Sequence, residues 1–289
     1  MNLESPYCII CNSDKFDHYL DVQCNNNKEW FSLKKCRCSL VMTVPRPIIN
    51  DIDKYYIGNY LPHSNINSKG SFFNNISRKI SYSWKANLIK RYARDKEVRL
   101  LDVGGGDGAL ALYLKNKIAK VDVYERNPDC IRSIMSKNIY STSNLNKLKI
   151  NDYNLLTFFH SLEHIHDMDE LFLNINRISS KACRMIIAVP NIEAGEIKFL
   201  NNKWVAWDVP RHLYHFSPRS LKLLLEKHGW EIIKSKNMFQ DTIFNIYMSL
   251  SGNFAKRIVL FSFLIIYSFI CQIFFVNLKS TNLVICQKK

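Results

Sequence analysis

Two carboxylates and a run of glycines carry the most specific chemistry in this sequence. The stretch RLLDVGGGDGALALYL, residues 99–114, passes from an apolar strand-like run through Asp102 into four glycines within five positions, then into a helix-like pattern. In open α/β sheets a ligand sits at the first strand–helix turn, and glycines there let the backbone approach it closely. Gly104, Gly106 and Ala109 satisfy G-x-G-x-x-A, the spacing of a dinucleotide site, whereas the Gly-Lys-Ser/Thr of a phosphate-binding P-loop is missing. Asp102 argues for a different ligand. A carboxylate two residues before the first glycine repels a pyrophosphate and favours a cationic ammonium. S-adenosylmethionine has an ammonium, a sulfonium and no phosphate. Glu125, 19 residues past Gly106, ends the next strand-like run, where an acid accepts hydrogen bonds from both ribose hydroxyls. Both ligand classes share that acid, so it marks a nucleoside without choosing between them.

Two further sets of residues could do chemistry. His160 and His164 lie in FFHSLEHIHD, and His212 and His215 in DVPRHLYHF, the latter pair close behind Asp208 and Arg211. Five of the nine cysteines (Cys8, Cys11, Cys24, Cys36 and Cys38) fall in the first 38 residues. In a reducing compartment such clustering points to metal rather than disulfides.

The elements that must position these groups alternate. From residue 98 the chain reads VRLLDVG strand, ALALYLKNKI helix, KVDVYE strand, PDCIRSIMSK helix, YNLLTFF strand, MDELFLNINRIS helix and CRMIIAVPN strand. SPRSLKLLLEKHG follows as a helix with a Ser-Pro start and a Gly stop, and WEIIKSKN and NLVICQKK as further strands. Such alternation predicts a mostly parallel sheet flanked by helices. Residues 1–47 form a cysteine-rich unit with strand-like HYLDVQC and SLVMTVP, and 48–95 a linker or lid with a helix at about 76–94. The 289 residues carry 40 Lys+Arg against 25 Asp+Glu, a net charge of +15, which favours acidic partners and is silent about the fold. MNLESPYCII lacks the basic start and apolar run of a signal peptide, so the cytoplasm is the expected location.

Taken jointly, these motifs resemble the class I S-adenosylmethionine-dependent methyltransferases. LLDVGGGDG is similar to their first motif. YNLLTFFHSLEHIHD is similar to the fourth-strand motif of the branch that includes ubiquinone-biosynthesis methyltransferases. VPN at 189–191 and WVAWDVPRHLYHFSPRSLKLLLEKHGW at 204–230 match later signatures, and YYIGNYLPHSN matches the lead-in of bacterial members with an N-terminal cysteine ribbon. The resemblance covers about residues 5–250 and the last strand. It implies an α/β fold: a Rossmann-like seven-stranded methyltransferase sheet over 96–289, with a small N-terminal zinc-ribbon-like module. It also implies that Asp102, Gly104, Gly106 and Gly108 line the methionine part of S-adenosyl-L-methionine and Glu125 its ribose, with Phe158 counted among the cofactor residues. Asn154 stands where relatives have Asp, and Asp107 where many have Thr or Ser.

Cys8-x-x-Cys11 makes one good zinc knuckle. The second is C-x-C, where the resembling family has C-x-x-C-G, so Cys38 aligns with its last ligand and Cys36 or Cys24 completes the set. The expected ligands are Cys8, Cys11, Cys36 and Cys38 around a structural Zn2+, with a vestigial metal-free ribbon as the rival. Methyl transfer is an in-line displacement that needs positioning and exclusion of water, and an oxygen or nitrogen acceptor needs a base as well. His212 is the leading candidate for that base or for an orienting group, with Asp208 beside it and His160 next in line. His164 reads as a helix-start residue held by neighbouring backbone. Trp204, Trp207 and Phe216 suit the walls of an acceptor site and a packed core equally.

Residues 258–276, IVLFSFLIIYSFICQIFFV, hold nineteen positions without a charge, flanked by Lys256, Arg257 and Lys279, in an apolar insertion at about 255–278. A crossing helix would strand the final strand on the far side of the membrane. The expected arrangement is therefore a helix or helical hairpin at the inner face of the membrane, or one packed on the domain. The functional expectation is methyl transfer to a small-molecule, sugar or lipid-linked glycan acceptor. The alternatives are an RNA or protein methyltransferase, disfavoured by FFHS standing where N-P-P-Y would, and a catalytically silent cofactor-binding scaffold.

Overall fold

The computed structural model describes residues 2–25, 27–56, 72–93 and 97–289. Most of the lead-in YYIGNYLPHSN, beyond Tyr56, lies outside the described residues, as does the segment 57–71 of the expected linker or lid. At the N-terminus β1 (Leu3–Glu4) is followed by β2 (Phe16–Gln23), β3 (Trp30–Cys36), β4 (Val41–Thr43) and β5 (Arg46–Pro47). Strands β2, β3 and β4 form an antiparallel meander, and β1 pairs with β5. In β3 the buried positions Phe31 and Leu33 alternate with more open ones, as a half-buried strand requires. Helix α1 (Phe72–Tyr92) then leads into the main sheet.

That sheet is built from β6 (Arg99–Val103), α2 (Ala109–Leu114), β7 (Lys120–Tyr124), α3 (Pro128–Met135), β8 (Ser141–Thr142), β9 (Tyr153–Phe159), α4 (Met168–Ile178) and β10 (Ser179–Pro190). After α5 (Ile197–Leu200) and β11 (Tyr214–His215) come α6 (Pro218–Lys227), β12 (Trp230–Lys236), α7 (Phe239–Ser249), α8 (Phe254–Phe274) and β13 (Thr281–Lys288). The seven strands lie in the order β12-β13-β10-β9-β6-β7-β8, with β13 antiparallel to both its neighbours and the rest parallel. The helix starts are those the residues dictate. Asn127 caps α3 ahead of Pro128, Asp167 caps α4, and Ser217 and Ser220 close a reciprocal capping box on α6.

Three features were left open by the residue pattern. First, β4 pairs with β11, and the Thr43 hydroxyl donates to the His212 carbonyl at 2.8 Å, so the cysteine-bearing sheet shares one buried core with the larger sheet. Second, residues 239–249 form α7, whose Ile246 is buried and whose Asn245 amide donates to the Ser280 hydroxyl at 3.1 Å. Third, the apolar insertion is a single helix packed on α7 by a narrow stripe of Leu264, Ser268, Cys271 and Gln272. Gly195 meets this stripe, since a Cβ there would lie 3.2 Å from Cys271.

Candidate active site

The parallel sheet reverses its winding between β6 and β9, the point where α/β sheets open a crevice beyond the strand ends. The glycine turn after β6 forms one wall. Gly104 has φ of +73°, and a Cβ added there would stand 2.3 Å from the Ser161 Cβ. Ser161 is itself held by its hydroxyl donating to the Val103 carbonyl at 2.6 Å, so the loops after β6 and β9 touch at a glycine. Asp102 is buried at the head of this turn, and Thr157 donates to its Oδ1 at 2.7 Å. Burial pushes its carboxyl up, opposed by the Thr157 hydrogen bond and the nearby Lys85 charge. Glu125, at the end of β7, accepts from the amides of Gly106 (2.9 Å), Arg126 (2.8 Å) and Asn127 (3.0 Å). A carboxylate offers about four lone-pair directions, so Oε2 keeps one for a hydroxyl.

Lys85 of α1 was not anticipated. It lines the same cleft as Asp102 and Glu125, with its Nζ 4.5 Å from the centre of the Phe159 ring. Burial pushes its ammonium down, countered by Asp241 and Asp102. Phe158 is misplaced by one residue. Its ring is fully buried on the far face of β9, and Phe159 lines the cleft instead. Successive strand residues face opposite ways, which is the physical reason. Asn154 caps a neighbouring strand, accepting from the Arg99 amide at 2.8 Å and donating to the Glu97 carbonyl at 2.7 Å. Asp107 accepts from Arg78 of α1 at 2.8 Å.

Past β9 the cleft is lined by histidines and acids. His160, in a left-handed backbone conformation, is hydrogen bonded through Nε2 to Asp241 Oδ2 at 2.9 Å, and its Nδ1 lies 3.7 Å from Glu163 Oε1. Burial lowers its pKa, but the Asp241 and Glu163 carboxylates outweigh that and raise it to about 10. His160 is therefore an imidazolium at neutral pH and not a resting base. Glu163 is fully buried, and neither carboxylate oxygen has a hydrogen-bond partner among the described residues. Burial raises its pKa, yet His160, His212 and His164 together draw it down to about 2.

His212 is directed by its Nδ1, hydrogen bonded to the Ala206 carbonyl at 2.9 Å, which leaves Nε2 3.7 Å from Asp208 Oδ2 and 3.9 Å from Glu163 Oε1. Asp208 is clamped by the Arg211 guanidinium through both oxygens. His164 holds the Tyr56 hydroxyl (2.9 Å) and the Arg211 carbonyl (3.0 Å) at Nδ1, and burial and His212 push it down to about 4. Glu163, His164 and His212 place one oxygen and two nitrogens within 4.8 Å of one another, a spacing a divalent cation can span. Trp204, Trp207 and Phe216 are core side chains, all nearly or fully buried, and do not line the cleft. His215 is likewise buried and bonds Thr43 through Nε2 at 3.1 Å.

In the N-terminal module the thiols of Cys8, Cys11, Cys36 and Cys38 converge within 4.8 Å, with Sγ···Sγ of 3.4 Å for Cys8–Cys38 and for Cys11–Cys36. A tetrahedral zinc with bonds of about 2.3 Å has sulfur–sulfur edges of about 3.8 Å, so the group fits the ion. Cys36 completes the set, and Cys24 is not part of it.

Among solved structures the fold is shared with a protein from Galdieria sulphuraria described as a sarcosine dimethylglycine methyltransferase, at 12% identity and a TM-score of 0.52 over 74% of this chain and 88% of that one. Geranyl diphosphate C-methyltransferase from Streptomyces coelicolor matches at 12% identity and TM-score 0.50, covering 72% and 76%. The [4+2]-cyclase SpnF matches at 14% and 0.50, covering 73% and 81%. No curated protein matches the sequence. A methyltransferase-domain family model matches residues 76–235, which contain the glycine turn, Glu125, the histidines and Asp208. The chain belongs to that methyltransferase family.

Proposed function

We propose that the protein transfers the methyl group of S-adenosylmethionine to a small-molecule, sugar or lipid-linked glycan acceptor in the cleft between the glycine turn and His212. The observation that carries this reading is the pairing of opposite charges in one corner of the cleft, Asp102 and Lys85, beside a glycine turn that leaves no room for a side chain. A zwitterionic amino acid fits such a corner, its ammonium toward Asp102 and its carboxylate toward Lys85, while Glu125 keeps an acceptor direction for a ribose hydroxyl. When bound, the cofactor supplies an electrophilic methyl on a sulfonium. The chain's own residues position and deprotonate. His212 presents Nε2 toward the cleft, and a proton taken there is met by the carboxylates of Asp208 and Glu163. His160 contributes a fixed positive charge and no basic lone pair.

Label from methyl-tritiated S-adenosylmethionine should enter small polar or lipid-linked material from cell extract. Label confined to RNA or protein, or none at all, would contradict the reading. The cyclase shows that sharing the fold is insufficient evidence, so label transfer is the criterion. His212→Gln should lower turnover by a factor of about 10² to 10⁴ while leaving S-adenosylhomocysteine affinity within a factor of about three. Unchanged turnover on a true acceptor would remove His212 from the base role.

The four thiols are proposed to hold one structural zinc, a closed site without a catalytic position. Protein purified without added metal should contain one zinc per chain, and phenanthroline should lower its melting temperature. Cys36→Ser should lose the metal, whereas Cys24→Ser should keep it. A metal-free, fully stable protein would leave the cluster a vestige.

A further inference from the structure

Helix α8 presents an apolar surface that the fold leaves bare. Phe254 is 80% exposed, Val259 71%, Ile273 69% and Phe274 73%. The helix is long and apolar enough to cross a membrane by length and composition, about 31 Å at 1.5 Å per residue. It does not cross one in this fold. The chain re-enters the sheet directly after it, where β13 pairs with β10 from Thr281 opposite Pro190 onward. The buried stripe is also tied to the domain, with Ser268 donating to Glu196 at 3.3 Å and Gln272 donating to Thr242 at 2.9 Å. The helix thus lies along the body of the protein with its other sides open.

The bare surface continues on both sides of α8. Phe244 and Tyr247 of α7 are more than half exposed and also line the cleft. Phe199 of α5 packs edge-on against Phe263 and Tyr267, with ring centres 5.3 and 5.0 Å apart. Basic side chains border this face, and α8 itself carries no acid. Lys198, Lys203 and Lys256 are exposed and Arg257 partly so, and the sequence has no Asp or Glu after Asp241. We propose that the α7–α8 face docks on an anionic lipid bilayer, with α8 lying parallel to the surface at headgroup depth and the cleft mouth beside it. A second copy of α8 brings these cations no acid, because the helix has none, whereas anionic headgroups neutralise them. Contiguous exposed apolar side chains of this kind mark an interaction site.

The proposal does not depend on the identity of the methyl acceptor. Full-length protein should co-sediment with vesicles of phosphatidylcholine containing phosphatidylglycerol, and more weakly with phosphatidylcholine alone. The double variant Ile266→Asp/Ile273→Asp alters two exposed side chains and should lower the vesicle-bound fraction at least tenfold. Lys256→Glu/Arg257→Glu should remove the preference for anionic vesicles. S-adenosylhomocysteine calorimetry on each variant reports the fold and the cofactor reading separately from lipid binding. Protein that stays in the supernatant with both vesicle types would overturn the proposal. So would a lipid-indifferent dimer that the Ile266→Asp/Ile273→Asp variant converts to monomer, which would make the face a contact between copies.

Discussion

Gly104→Ala is expected to abolish measurable cofactor binding and to destabilise the fold by about 3 kcal/mol. Two physical costs combine. An alanine at φ of +73° sits in the left-handed region, at roughly 1–2 kcal/mol. Its Cβ would also stand 2.3 Å from the Ser161 Cβ, and overpacking of this kind costs roughly 1–3 kcal/mol more. Ser161 cannot turn away freely, since its hydroxyl holds the Val103 carbonyl. The loops after β6 and β9 would have to part, displacing Asp102 and Gly106 together and lowering S-adenosylhomocysteine affinity at least 100-fold. The double variant Gly104→Ala/Ser161→Gly separates the two costs, because it removes the clash and keeps the backbone strain. Calorimetry and denaturant unfolding of both singles and the double should show positive coupling. Strict additivity would mean that the two loops do not bear on one another.

The glycine turn, Glu125 and the four clustered thiols were legible because each lies in a short motif, with only the choice of Cys36 over Cys24 left to the structure. Six of the seven strands of the main sheet were legible from apolar or alternating runs, whereas β8 is only Ser141–Thr142, two polar residues that carry no such signal. Other parts depend on contacts between distant positions. Lys85 sits in a helix with no motif around it, and only the tertiary placement of α1 beside the cleft brings it near Asp102. Asp241 is 81 positions from His160, on a helix with no side-chain cap at its N-terminus, so neither its helix nor its role carried a local signal. The Phe158 error is of another kind. The strand was recognised, but a shift of one residue exchanges the two faces, and the sequence is aromatic at both positions. Trp204 and Trp207 are large enough for either role, and burial alone assigns them to the core.

Asp241→Asn is expected to lower stability at pH 6 by roughly 1–2 kcal/mol, less than for a fully buried ion pair because the His160 side chain is 35% exposed and water screens the contact. The pH dependence identifies the cause. The folded-state pKa of His160 is about 10, above the ordinary value near 6.5. Its contribution is therefore complete below about 6.5 and is lost as pH rises through 10. Glu163 works in the opposite sense, with a folded value of about 2 against an ordinary 4.5, so its share is complete above 4.5 and lost as pH falls through 2. The network is whole between about pH 4.5 and 6.5, and there the variant should fall furthest below the wild type. Toward pH 10 the wild type loses the charge that Asp241 holds, so the gap should narrow. In the variant only Glu163, 3.7 Å from Nδ1, still favours the imidazolium, and the His160 ring should titrate well below 10 by NMR. A gap of constant size from pH 5 to 10 would assign the loss to packing of α7 rather than to charge. Asp241 also accepts from Thr281 at the start of β13, so the imidazolium in the cleft is held by the strand that follows α8. Weakening this contact should loosen α7 and the far edge of the cleft together, which hydrogen exchange at α7 amides would register as faster opening in the variant.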